Sequence, residues 1–115
     1  MSEPPIYHVC RLEKWEAAQI AGAYGGSDDD ARDGFIHFSA RAQLEASVAK
    51  HRAGQEGLVV LSVDPGRLGD ALKWEPARDG ALFPHLHGAL PVTAVISARP
   101  LPLGDDGNHV FPELP

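Results

Sequence analysis

The apolar positions of the chain fall into short runs separated by polar, glycine and proline breaks. Pro4-Pro5 bars a helix and leads into Ile6-Tyr7-His8-Val9-Cys10, a run of strand formers. Side chains alternate along a strand, so Ile6, His8 and Cys10 share one face. From Leu12 to Ala21 the spacing becomes helical, with Leu12, Trp15 and Ala18 on one stripe and Gly22 as the stop. Gly25-Gly26-Ser27-Asp28-Asp29-Asp30 reads as a flexible, solvated acidic loop. It lacks the spacing and the closing glutamate of a calcium loop.

Gly34 opens a second strand, Phe35 to Phe38, in which Phe35, His37 and Ser39 point one way and Ile36 and Phe38 the other. Ser39 suits the N-cap of a helix from Ala40 to Ala53, with Leu44, Val48 and His51 as its apolar stripe and Gly54 as its stop. Leu58-Val59-Val60-Leu61-Ser62-Val63 is the strongest strand and is expected to be central and buried. Asp64-Pro65-Gly66 turns the chain. Leu72 to Glu75 alternates as a short strand, Ala77 to Gly80 is a polar linker, and Leu82 to Gly88 (LFPHLHG) follows. Val92 to Ala98 is the last strand, and from Arg99 to Pro115 the chain is expected to be an extended, partly mobile tail. Strand, helix, strand, helix and then mostly strands predict an α+β fold. Two or three helices would be segregated from a compact, mainly antiparallel sheet. No linker divides residues 1–115, which are expected to form a single domain.

Composition narrows the function classes. A formal net charge of −6 argues against a duplex-DNA binder. No apolar stretch approaches the length of a membrane span, and MSEPPIYH lacks the features of a secretory signal, so the cytoplasm is the expected location. Cys10 is the one cysteine, which excludes an internal disulfide and a cysteine-based zinc framework. The standard glycine-rich phosphate cradles are absent.

Histidine carries the candidate chemistry. Of six, His51 sits in a helix and His109 in the tail, and both are given structural or neutral roles. His8, His37 and His85 lie among apolar or aromatic residues, where an imidazole needs hydrogen-bond partners. Such a group orients polar ligands or acts in acid–base catalysis with Glu75 as partner. His85 and His87 fall on the same side of a strand, and Glu75 would add a carboxylate to that pair for a metal.

Several segments together resemble a bacterial family defined only as domain of unknown function 952. They are IYHV at 6–9, GFIHFS at 34–39, the Leu58–Asp64 strand with Pro65, Lys73-Trp74-Glu75-Pro76, and FPHLHG at 83–88 running into Pro91-Val92. They occur in the family's order and span nearly the whole chain. One departure is His87, where the family favours tyrosine. A more distant similarity is to the ADP-ribosyltransferase superfamily, including RNA 2'-phosphotransferases. It rests on Tyr7-His8, His37-Phe38-Ser39 and Val63-Asp64. That resemblance implies an ADP-ribosyltransferase-like fold and NAD or a related nucleotide as substrate; no metal is expected. Carried over, it makes His8 the ribose anchor, His37 to Ser39 the second pocket wall and Glu75 the catalytic glutamate. Tyr7, His85 and His87 are expected to line the same pocket, with His37 acting beside Glu75 in catalysis. Arg11, Arg41 and Arg78 are the candidate basic residues for a phosphorylated ligand.

Three readings follow. The first is an ADP-ribosyltransferase-like domain, with His8 and Glu75 converging on one cleft. The second is a metal-dependent enzyme built on His85, His87 and His37 or Glu75. The third is a non-catalytic small-ligand or protein-interaction domain.

Overall fold

The computed structural model describes residues 3–77 and 79–115. Arg78 therefore lies outside the described residues. The central element is β4 (Leu58–Val63), whose six residues are all buried. It pairs antiparallel with β1 (Ile6–Arg11) on one side and β8 (Val95–Leu101) on the other. A strand buried on both faces needs a continuous apolar run, which Leu-Val-Val-Leu-Ser-Val supplies.

Each face of this sheet carries its own core. Val59, Leu61 and Val63, with Ile6 and Cys10, pack against Trp15, Tyr24, Ile36, Phe38, Leu86 and Leu90. Leu58, Val60, Tyr7 and Val9 pack on the opposite face against Leu44, Val48 and Leu101. The predicted alternation of β1 thus sorts its side chains between two cores, and His8 falls on the first.

A second antiparallel sheet has the order β3 (Ile36–His37), β6 (Leu82–Leu86), β5 (Leu72–Pro76). A two-stranded pair, β2 (Ala23–Tyr24) with β7 (Leu90–Pro91), adjoins them. The two larger sheets are stitched together where the Tyr7 and Ser39 main chains exchange hydrogen bonds of 2.9 and 2.8 Å. The α+β class with antiparallel strand pairing is as the sequence predicts, and the described residues hold three α-helices of the two or three expected.

Helix α1 (Leu12–Ala21) has the predicted bounds, with Gly22 as a left-handed C-cap at φ 90°. Trp15 and Ala18 are buried, but Leu12 is 44 % exposed and does not belong to the stripe. Three other expectations need correction. The acidic loop is a short helix, α2 (Asp28–Asp33). Ser27 caps it, and three aspartates in its first turn match the positive end of the helix dipole. Ser39 is not the cap of α3 (Arg41–His51); that position is Ala40, whose N–H donates to Gln43 Oε1 at 2.9 Å. Ser39 instead spends its backbone on Tyr7. His51 is exposed at the end of α3, outside the apolar stripe of Leu44 and Val48.

The last strand begins at Val95, after a 3-10 turn over Val92–Ala94, and runs into the expected tail as far as Leu101. Beyond it the tail folds back. Phe111 and Leu114 pack on the second core. His109 Nε2 lies 2.8 Å from the Gln55 carbonyl, and Tyr7 Oη donates to the Pro115 carbonyl at 2.7 Å.

Candidate functional site

The candidate histidines come together where β1, β3 and β6 meet. His8 is 4 % exposed. Its Nδ1 lies 2.6 Å from the His37 carbonyl, which only accepts, so Nδ1 carries the proton. Its Nε2 then accepts from Tyr24 Oη at 2.8 Å. Burial lowers the His8 pKa against the opposing pull of Asp30, whose Oδ2 is 3.7 Å from Nε2. His8 is therefore a neutral imidazole with both nitrogens committed inside the protein.

Asp30 binds this inner layer to the surface. It is 3 % exposed, and its Oδ2 accepts from the Ser27 N–H at 2.7 Å. Oδ1 accepts from the His37 N–H at 3.1 Å and from His37 Nδ1. Burial opposes the charge of Asp30, but the hydrogen bond from the His37 side chain and those from the Ser27 and His37 N–H groups outweigh it and hold the pKa at about 2. The same His37 side chain bond, opposed in part by desolvation, raises the His37 pKa. Asp33 Oδ2, 3.2 Å from His37 Nε2, adds to that rise.

The outer layer is an imidazole–carboxylate cluster. β3 and β6 pair His37 with His85, and their rings meet edge to face at 5.4 Å. His85 Nδ1 and His87 Nε2 lie 3.0 and 2.6 Å from the same oxygen, Oε1 of Glu75. The hairpin explains this: Glu75 leaves β5 opposite Phe83, and at even spacing His85 follows on the facing strand and His87 just past its end. Bonds from His87 first and His85 second hold the Glu75 carboxyl below the usual carboxylate range. Phe35 lies over the cluster, stacked on His85 at 4.1 Å and 16° and tilted against His37 and His87 at 4.6 and 5.2 Å.

Other candidates fall elsewhere. Tyr7 points into the second core, away from the imidazoles. Ser39 is 5 % exposed and makes its contacts through the main chain. Arg41 is on the α3 surface, paired with Glu45 at 3.5 Å. Cys10 is buried, and desolvation pushes its thiol up to about 11, so it is a poor nucleophile. Asp30, Tyr24 and the position of Phe35 over three imidazoles were not read as site features from the sequence. The only signal for Asp30 was the Ser27-x-x-Asp30 spacing, a variant of the capping box.

A cleft of about 310 Å³ opens beside the cluster, lined by Phe35, Ile36, Asp30 and the backbone-rich positions Gly25, Gly34 and Gly88. A smaller one of about 190 Å³ is lined by Tyr24, Cys10 and Ser27 among others and shares no residue with the first. Neither His8 nor Glu75 lines either cleft. Among the described residues no group of three or more His, Cys, Asp or Glu side chains is arranged to hold a metal ion. No helix among them is long and apolar enough to cross a membrane.

The fold and site define a small α+β domain with an imidazole–carboxylate face. The family model described as "Protein of unknown function (DUF952)" matches residues 9–98, and the chain belongs to that family. Its structure is similar to the crystal structure of protein CC0527 from Caulobacter crescentus. The TM-score is 0.88 and the identity 42 %, covering 92 % of this chain and 93 % of that one. It is also similar to the solution structure of CC0527, with a TM-score of 0.81, 43 % identity and 90 % of each chain covered. No curated protein matches the chain. The ADP-ribosyltransferase likeness finds no counterpart among these relatives.

Proposed function

We propose that this domain binds NAD or a related nucleotide on the face formed by Phe35, His37, His85 and His87, in the manner of an ADP-ribosyltransferase. The observation that carries the reading is Glu75, an ionised carboxylate held by two imidazoles at the edge of a face walled by Phe35. Breaking a nicotinamide–ribose bond builds positive charge on the ribose as nicotinamide departs with the bonding electrons. A fixed carboxylate near that carbon lowers the barrier. The cleft beside Phe35, about 310 Å³, is at the small end of ligand pockets and suits one ring of the nucleotide, with the ribose lying outside it over the imidazole face toward Glu75. Glycine-lined walls admit close backbone approach.

The sequence likeness gains one supporting feature. Tyr7-His8 and His37-Phe38-Ser39, the two segments that carry it, are bonded to each other across the sheets. The role of His8 changes in consequence. With both nitrogens committed, it positions His37 instead of anchoring ribose. His37, half-exposed and flanked by Asp30 at Nδ1 and Asp33 at Nε2, is the proton-handling group.

A thermal-shift titration with NAD, ADP-ribose and nicotinamide tests this. A ligand of the folded state raises the melting temperature with concentration. The expected result is a rise with NAD or ADP-ribose that is lost in His37→Ala. No shift at millimolar nucleotide overturns the reading. The commitment of His8 within the core favours a second reading, a non-catalytic small-ligand domain. It predicts nucleotide binding with no release of nicotinamide from NAD.

A further inference from the structure

The smaller cleft, lined in part by Tyr24, includes none of the residues of the imidazole–carboxylate face and has a different character. It lies between the start of α1, Ser27 and the residues after α3. Three cations line it, Arg11, Lys14 and Arg52, in a chain whose net charge is −6.

Arg52 is the informative one. The residue is half-buried, with Nη2 donating to the Val9 carbonyl at 3.1 Å and Nη1 to Gln55 Oε1 at 3.3 Å, both part-buried bonds. Both acceptors are neutral. Among the described residues no carboxylate lies within 4.0 Å of it. A partly desolvated charge without a counter-ion is unfavourable, and a guanidinium fork matches the oxygens of a carboxylate or phosphate. Lys14 has only the fully exposed Asp28 at 4.0 Å, a contact of negligible strength. Asp29, also at the cleft, turns to Arg32 at 3.3 Å. Ser27 Oγ accepts from the Asp30 N–H at 3.2 Å, so its own hydroxyl proton remains to be donated.

We infer that this cleft is a binding site for a compact oxyanion, a phosphate or carboxylate group, anchored by Arg52 with Arg11 and Lys14 beside it. Its volume, about 190 Å³, takes one such group and little more. The flanking Asp28 and Asp29 oppose anything as highly charged as a polyphosphate or nucleic acid.

The test is an amide NMR titration of the full chain with sodium phosphate and, separately, sodium acetate, with ionic strength held constant by sodium chloride. The expected result is saturable shifts at Cys10, Ser27 and Gln55, weakened about tenfold in Arg52→Gln as for loss of a charged anchor. The stronger of the two anions identifies the ligand chemistry. Should Arg52→Gln lose its dispersed spectrum through the Val9 bond, Lys14→Gln takes its place, with binding several-fold weaker. Shifts that fail to saturate, that chloride reproduces, or that persist unchanged in the folded variants overturn the proposal.

Discussion

The side chain of His8 donates to the main-chain carbonyl of His37 at 2.6 Å, which fixes one buried imidazole as the support of a second, half-exposed one. Tyr24 completes this arrangement by donating to the other nitrogen of His8. Tyr24→Phe removes the donor while preserving the ring, and leaves a buried acceptor unmet. The expected loss is about 1–3 kcal/mol in urea denaturation. Unchanged stability would mean that His8 is not locked in the Nδ1-protonated form.

The Asp30–His37 pair has a defined pH window. Asp30 drops from 3.8 to about 2, so its contribution is present above pH 3.8 and is lost as the pH falls through about 2. His37 is raised from 6.5, so its contribution is full below pH 6.5 and is lost as the pH rises through the raised value. The stability difference between wild type and Asp30→Asn is therefore largest between those limits, at about 2–3 kcal/mol. It shrinks below pH 3 and, more gently, in the alkaline range, where Asp30 still accepts the Ser27 and His37 N–H bonds. Denaturation at pH 2.5, 5.5 and 9 checks the profile. A difference independent of pH would contradict it.

Glu75 reports on the outer cluster. Its largest hydrogen-bonding influence is His87, so His87→Ala is expected to raise the Glu75 pKa toward the ordinary 4.5. A carbon-13 NMR titration of the carboxyl group reads this directly. A titration midpoint identical in wild type and variant would show that the two side chains do not pair in solution.

The sequence made the histidine face legible because the strand periodicity was legible. His8, His37 and His85 each follow from alternation on short apolar runs, and the same rule puts His85 and His87 together on Glu75. It also placed Phe35 and His37 on one side. Asp30 was obscured by its neighbours: three consecutive aspartates after two glycines have the composition of a solvated turn. Only the turn of helix begun by Ser27 carries the third one inward. Tyr24 belongs to a two-residue strand, too short for any period to emerge. The tail was read from its prolines and glycines, which give no sign that Phe111 and Leu114 cover a core.

Ser62 is an anomaly within the central strand. Its hydroxyl is fully buried and has no hydrogen-bond partner among the described residues. An unmet buried hydroxyl costs about 1–3 kcal/mol, so Ser62→Ala is expected to be neutral or stabilising by up to about 1 kcal/mol. Thermal denaturation measures this, and a clear loss of stability would reveal a bond that the static geometry lacks.

A nucleotide bound as proposed occupies the face beside Phe35. The most direct measurement is an amide NMR titration with ADP-ribose, which needs no turnover. Saturable shifts are expected at Gly25, Gly34, Phe35 and Gly88, the lining of the cleft beside the imidazoles, with a marked loss of affinity in Phe35→Ala. Absence of saturable shifts at millimolar ligand, or shifts gathered on another surface, would contradict it.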